Sequence, residues 1–151
     1  MNRFESWLST TVRGVNVRSF PDGTRTATDA ARAVGCDLGQ IVKSLVFVAG
    51  GRPVVALVSG SNRLDEKRLG AIAGMPVAKA DAEIARLSTG YSIGGVPPFG
   101  HATDMPVFMD RDLLGYEVVW AAAGRPDSVF AIAPARLCEL SNATIIDLKT
   151  R

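Results

Sequence analysis

The chain has 151 residues, the length of one ordinary domain, and its 47% hydrophobic and 21% charged residues exclude a disordered chain. Seventeen basic against 15 acidic residues leave a formal charge of +2, which excludes a polybasic tail or membrane anchor. The single histidine, His101, excludes a metal site that needs two imidazoles.

In chain order, residues 3–8 read as a short helix with Phe4, Trp7 and Leu8 on one face. Residues 15–18 alternate as a strand does, and Phe20-Pro21-Asp22-Gly23 is a turn. Thr26 followed by Asp29 has capping-box spacing and opens a helix that Gly35 closes. The β-branched runs 41–49 and 54–58, separated by Gly50-Gly51-Arg52-Pro53, form a hairpin. Asp65-Glu66 starts a helix with Leu69, Ile72 and Ala73 as its apolar stripe. Asp81 caps another, with Ile84 and Leu87 inward and Gly90 at its end. Residues 90–100 hold four of these backbone-permissive glycines and two adjacent prolines, so no regular element fits there. Residues 107–109, 117–121 and 129–132 read as strands, Pro134 sits at the first position of a helix carrying Leu137 and Leu140, and 144–148 is a last strand.

This mixture of hairpins and crossovers predicts an α+β, or mixed α/β, fold in a single domain spanning 1–151. Cys36 and Cys138, far apart and outside any C-x-x-C pattern, read as buried, reduced side chains. The polar first 14 residues lack the apolar stretch of a secretory leader, and the longest apolar run, 118–123, is too short to span a membrane. A cytoplasmic protein is expected.

Four stretches offer chemistry. Gly90-Tyr91-Ser92-Ile93-Gly94-Gly95-Val96-Pro97-Pro98-Phe99-Gly100-His101 is a stiff glycine-rich loop able to present backbone N–H groups to an anion or an oxyanion, or else a structural turn. Lys43 opens a core strand and faces either solvent or a pocket rim, where it offers a compact positive charge. Ser59-Gly60-Ser61-Asn62-Arg63 joins a strand to a helix and is a phosphate-binding turn or a plain connection. Ala123-Gly124-Arg125-Pro126 is a loop at a strand end. Walker, zincin and nucleophile-elbow motifs are missing, so His101 reads as a hydrogen-bonding loop residue rather than a general base. There is no basic helix or Arg/Lys cluster interleaved with aromatics, so DNA is not an expected partner.

Taken in order, these stretches resemble the YbaK/EbsC family, relatives of the editing domain of bacterial prolyl-tRNA synthetases. The pieces that carry the resemblance are Thr26-Ala27 with Ala30-Ala31, Gly39-Gln40-Ile41-Val42-Lys43-Ser44-Leu45-Val46-Phe47, Ser59-Gly60-Ser61-Asn62-Arg63-Leu64-Asp65, the loop Gly90 to His101, and Ala123-Gly124 with Val129-Phe130. The resemblance implies a mixed, barrel-like sheet flanked by helices, and hydrolysis in trans of the ester of a mischarged tRNA. The expected substrate is tRNA for proline carrying alanine, serine or threonine. The expected partners are the aminoacyl-tRNA 3′ end and prolyl-tRNA synthetase, with no metal or other cofactor.

Lys43 then matches the family's essential lysine, and Gly94, Gly95, Val96, Pro97 and Pro98 match its G-x-x-x-P loop. Phe20, Thr26, Phe47, Ser59, Gly60, Ser61, Asn62, Arg63, His101 and Gly124 are the expected substrate contacts. Relatives that process cysteinyl-tRNA carry a K-R-G-L-D-like stretch after the glycine at Gly124. Here Arg125-Pro126-Asp127-Ser128-Val129 stands there, with Val129 in the aspartate's place, which disfavours cysteine. The alternative reading is a non-catalytic tRNA- or nucleotide-binding module of the same fold.

Overall fold

The structure, a computed structural model, describes residues 3–11, 14–21, 23–24 and 26–150. Five helices, α1 (Arg3–Thr11), α2 (Ala27–Val34), α3 (Glu66–Ala73), α4 (Ala82–Thr89) and α5 (Pro134–Ser141), are described. Eight strands run among them: β1 (Val17–Ser19), β2 (Ile41–Ala49), β3 (Arg52–Ser59), β4 (Val77–Lys79), β5 (Val107–Asp110), β6 (Val119–Ala122), β7 (Ser128–Ile132) and β8 (Thr144–Ile146). Short 3₁₀ turns lie at Leu38–Gln40 and Arg111–Gly115.

The helix starts follow their side chains. Thr26 accepts the Asp29 N–H, Asp65 accepts those of Lys67 and Arg68, and Asp81 accepts that of Ile84. The strands form one mixed sheet in the order β1-β7-β6-β2-β3-β5-β8, with β4 also on β2. β2 and β3 pair antiparallel along their whole length, from Val42 opposite Ser59 to Ala49 opposite Arg52. The two residues between them, Gly50 and Gly51, both have positive φ, as a tight primed hairpin turn requires.

β3 is buried on both faces. Val55 and Leu57 pack into one core cluster with Phe4, Tyr91, Phe99 and Phe130, while Val54, Ala56 and Val58 pack into a second with Phe47, Leu69 and Phe108. That is why its sequence is a continuous apolar run rather than an alternation.

The other edge of β2 positions the site. β6 pairs with it, in parallel, only at Ile41 and Val42, and β4 pairs only at Phe47, Val48 and Ala49. Between those partners the ladder opens, and Lys43, Ser44 and Leu45 line a cavity there.

Several expectations are corrected. Ile84 and Leu87 are 38% and 62% exposed, not inward, because α4 turns Ala85, Ser88 and Thr89 to the protein. The two hydroxyls on that face are satisfied by the Ile84 and Ala85 carbonyls one turn back, so a polar-looking face can be buried. Ile72 is likewise exposed, and Cys36 and Cys138 are half-buried free thiols. The first strand begins at Val17 rather than Val15, the first helix runs on to Thr11, and β4 was not expected. Gly23 N–H closes the turn on Phe20 as expected, while Asp22 lies outside the described residues. Among the described residues no helix is long and apolar enough to cross a membrane.

Candidate functional site

The cavity in the β2 gap has a volume of about 280 Å³. Aliphatic side chains make much of its wall: Ala27 and Ala30 from α2, Ile41 and Val42 from β2, Ala121 and Ala122 from β6, and Val129 from β7. Trp120 and Leu45 add to it. The polar lining comes from Lys43, Ser44, Thr24 and Thr26, and the glycine-rich loop contributes Ile93, Gly94 and Val96.

Lys43 is half-buried, and its ammonium donates to the Asn62 carbonyl at 2.6 Å. Burial pulls its pKa below the ordinary lysine value, and the negative charge of Asp110 acts in the opposite direction. The Asn62 side chain is held in turn. Its amide donates to Asp110 Oδ2 at 2.9 Å and to Asp112 Oδ2 at 2.8 Å. Asp112 is also paired with Lys149 at 2.9 Å, and these bonds, that from Asn62 foremost, hold its carboxyl below the usual range.

The loop facing Lys43 is braced from behind. Gly94 has φ +94°, a conformation open to glycine. Gly95 lies so close to the β6–β7 connection that an added Cβ would sit 2.9–3.0 Å from the Arg125 backbone. The Gly95 N–H is spent on the Ser92 carbonyl. Pro97 and Pro98 are buried, and the His101 ring donates from Nε2 to the Pro97 carbonyl at 2.6 Å. Burial keeps the His101 pKa below the ordinary imidazole value, with the Pro97 bond opposing that shift. The histidine therefore fastens the loop. Tyr91 does the same from the other end, donating to the Gly100 carbonyl at 3.1 Å.

Of the expected site residues, Lys43, Thr26, Gly94 and Val96 share the cavity, Gly95, Pro97, Pro98 and His101 belong to the loop segment that enters it, and Gly124 lies in the β6–β7 connection beside Arg125. Phe20 is half-buried under the Arg18 guanidinium, 5.5 Å from the ring centre, outside the lining. Phe47 is corrected: it is 4% exposed and packs in the second core cluster, because it lies past the gap, where β4 pairs with β2. Ser59 is buried and bonds to the Gly39 carbonyl and to Asp110. Gly60 packs against Leu38, Ile41 and Ala27 too closely for a side chain. Ser61 and Arg63 are exposed, and Asn62 reaches the site through Lys43. Sequence reasoning passed over Asp110, Ser44, Thr24 and Trp120. A carboxylate ending an apolar strand run, as at Val107-Phe108-Met109-Asp110, is the signal that points to the first of these.

A family profile described as the aminoacyl-tRNA editing domain matches residues 21–140. The chain belongs to that family. Among other members, the YwhH protein of Bacillus subtilis is 32% identical over 83% of this chain and 81% of its own length. The EbsC protein of Enterococcus faecalis, described as a candidate Cys-tRNA(Pro)/Cys-tRNA(Cys) deacylase, is 28% identical over 83% of this chain and 77% of its own. The proline–tRNA ligase of Elusimicrobium minutum is 31% identical over 83% of this chain, which corresponds to 22% of that longer enzyme. A solved structure of a candidate trans-editing enzyme for prolyl-tRNA synthetase superposes with a TM-score of 0.93 at 47% identity, covering 99% of this chain and 96% of that one. The mixed sheet flanked by helices is thus the fold of aminoacyl-tRNA editing domains.

Proposed function

We propose that this editing domain hydrolyses, in trans, the ester of a tRNA for proline mischarged with a small amino acid such as alanine, serine or threonine. One observation carries the reading: Lys43, Gly94 and Val96 line the same small, alanine-rich cavity. A cationic group at its edge suits the phosphate or ribose of the terminal adenosine, and the aliphatic wall suits a short side chain.

The ester is activated relative to an amide, so positioning and carbonyl polarisation suffice without an enzymic nucleophile. His101 is engaged by the loop it braces, which favours water activation by the substrate's own ribose hydroxyl. Selection by size in such a pocket is worth roughly 1–3 kcal/mol per methylene, which fits a sieve against the bulkier prolyl group. Val129, in the cavity wall, stands where the resemblance puts an aspartate in cysteinyl-processing relatives, and this argues against cysteine.

The test is a panel of tRNA charged with alanine, serine, threonine, cysteine or proline. Faster ester loss than buffer for a small amino acid, with prolyl-tRNA spared, is the expected result. Flat traces for every member, from folded protein, overturn the reading. Tight tRNA binding with flat traces marks a non-catalytic module instead.

A further inference from the structure

Asp110 is 1% exposed, and no cation pairs with it directly among the described residues. A buried carboxylate without an ion pair is costly unless its hydrogen bonds are filled and its charge serves a neighbour. The hydrogen bonds are filled. Oδ2 accepts the Ser59 N–H at 3.1 Å and the Asn62 amide at 2.9 Å, and Oδ1 accepts the Asp112 N–H at 3.1 Å. Ser59 ends β3 and Asn62 follows it, so one carboxylate at the end of β5 ties down the whole turn that carries the Asn62 carbonyl. That carbonyl is what the Lys43 ammonium grips.

We propose that Asp110 is the positioning residue for Lys43, acting through Asn62 to fix the ammonium at the cavity edge and supplying the buried negative charge that balances it. The turn uses both carboxylate oxygens as acceptors, so an asparagine keeps one of them and sets an NH2 against the donors of the other. A carboxylate adds charge, and two lysines feel it. Lys149 is already paired with Asp112 and keeps 40% of its side chain open to screening water, whereas the half-buried Lys43 bonds to a neutral carbonyl. The charge is therefore spent mainly on Lys43. This deepens the deacylase reading and rests on it for the activity arm alone.

The experiment is amine acetylation read residue by residue by mass spectrometry. The chain has four lysines, and Lys67 and Lys79 are exposed internal standards. In the wild type, Lys43 should label more slowly than those two standards, because its ammonium is half-buried and bonded to the Asn62 carbonyl. Asp110→Asn, which removes the charge and one acceptor, and Asn62→Ala, which cuts the relay and leaves Asp110 in place, should each raise Lys43 labelling at least about threefold against those standards. Each change frees the ammonium, and the first also favours its neutral, reactive form. Leu69→Ala, a destabilising change in the second core cluster, controls for general loosening and should leave the Lys43 ratio unaltered. An unchanged ratio in the folded variants, or an equal rise in Leu69→Ala, overturns the proposal. Should Asp110→Asn not fold, Asn62→Ala decides.

In single-turnover deacylation both variants should be slowed about tenfold, the worth of one charge-assisted hydrogen bond. Neither should cost more in a Lys43→Ala background. A fully additive loss there also overturns the proposal. No turnover by the wild type counts against the deacylase reading, while the labelling still decides the role of Asp110.

Discussion

Lys43 is placed where its charge is a burden to the fold. Burial depresses its pKa, so the folded protein disfavours the ammonium that neutral pH imposes. That cost is relieved only as pH rises through the lysine range. Lys43→Met should therefore shift Tm by no more than about 4 °C, since relief of the half-buried ammonium offsets the counter-charge lost to Asp110, while ester hydrolysis falls at least a hundredfold. A drop in Tm of more than about 4 °C, roughly 1 kcal/mol for a domain of this size, would make Lys43 a structural residue instead. His101 carries a different signature. Its folded pKa lies below the ordinary imidazole value, so the unfolded chain takes up its proton first. Its contribution to stability is complete above about pH 6.5 and is lost as pH falls through the folded value. Thermal melts at pH ~7.5 and ~5 should show His101→Gln losing less Tm on acidification than the wild type. Equal losses would remove His101 from the acid response.

At the scale of elements, the loop 90–101 depends on how closely it approaches the β6–β7 connection. Gly95→Ala would push a methyl group against the Arg125 backbone, which cannot rotate away as a side chain does. The expected cost is about 1–3 kcal/mol. Deacylation should slow as well, because Gly94 and Val96 move with the loop. Calorimetry showing an unaltered Tm would mean that the contact gives way freely. Local rules made much of this architecture legible beforehand: the caps at Thr26, Asp65 and Asp81, the left-handed glycines Gly35 and Gly90, the two-glycine hairpin, and Pro134 opening α5 are all read within four residues of chain. The inward face of α4 was not legible, because Ser88 and Thr89 satisfy their hydroxyls within the helix and so hide at no cost, while larger apolar neighbours stay outside. β4, only three residues long, has too little pattern to be recognised without its partner.

For the molecule as a whole, a formal charge of +2 with a single half-buried lysine at the cavity implies a grip on few phosphates. Binding of tRNA, followed by fluorescence anisotropy from ~50 to ~200 mM salt, should give a log–log slope shallower than about −3. A slope near that of proteins making six or more phosphate contacts would point to a basic surface beyond the cavity.

The chain by itself determined the pieces and their order, because capping, turn chemistry and apolar runs act between near neighbours. It also carried Lys43 and the glycine-proline loop as a recognisable pair of motifs. Only the tertiary structure decided that the two meet. β2 is shared between β6 at one end and β4 at the other, and the unpaired stretch between them opens the cavity that Lys43 lines. The same packing sends Phe47 into the core and brings Asp110, 67 positions from Lys43 in the chain (110 − 43), to the turn that holds the lysine. Contacts of that range depend on strand register and crossover, which no local pattern encodes.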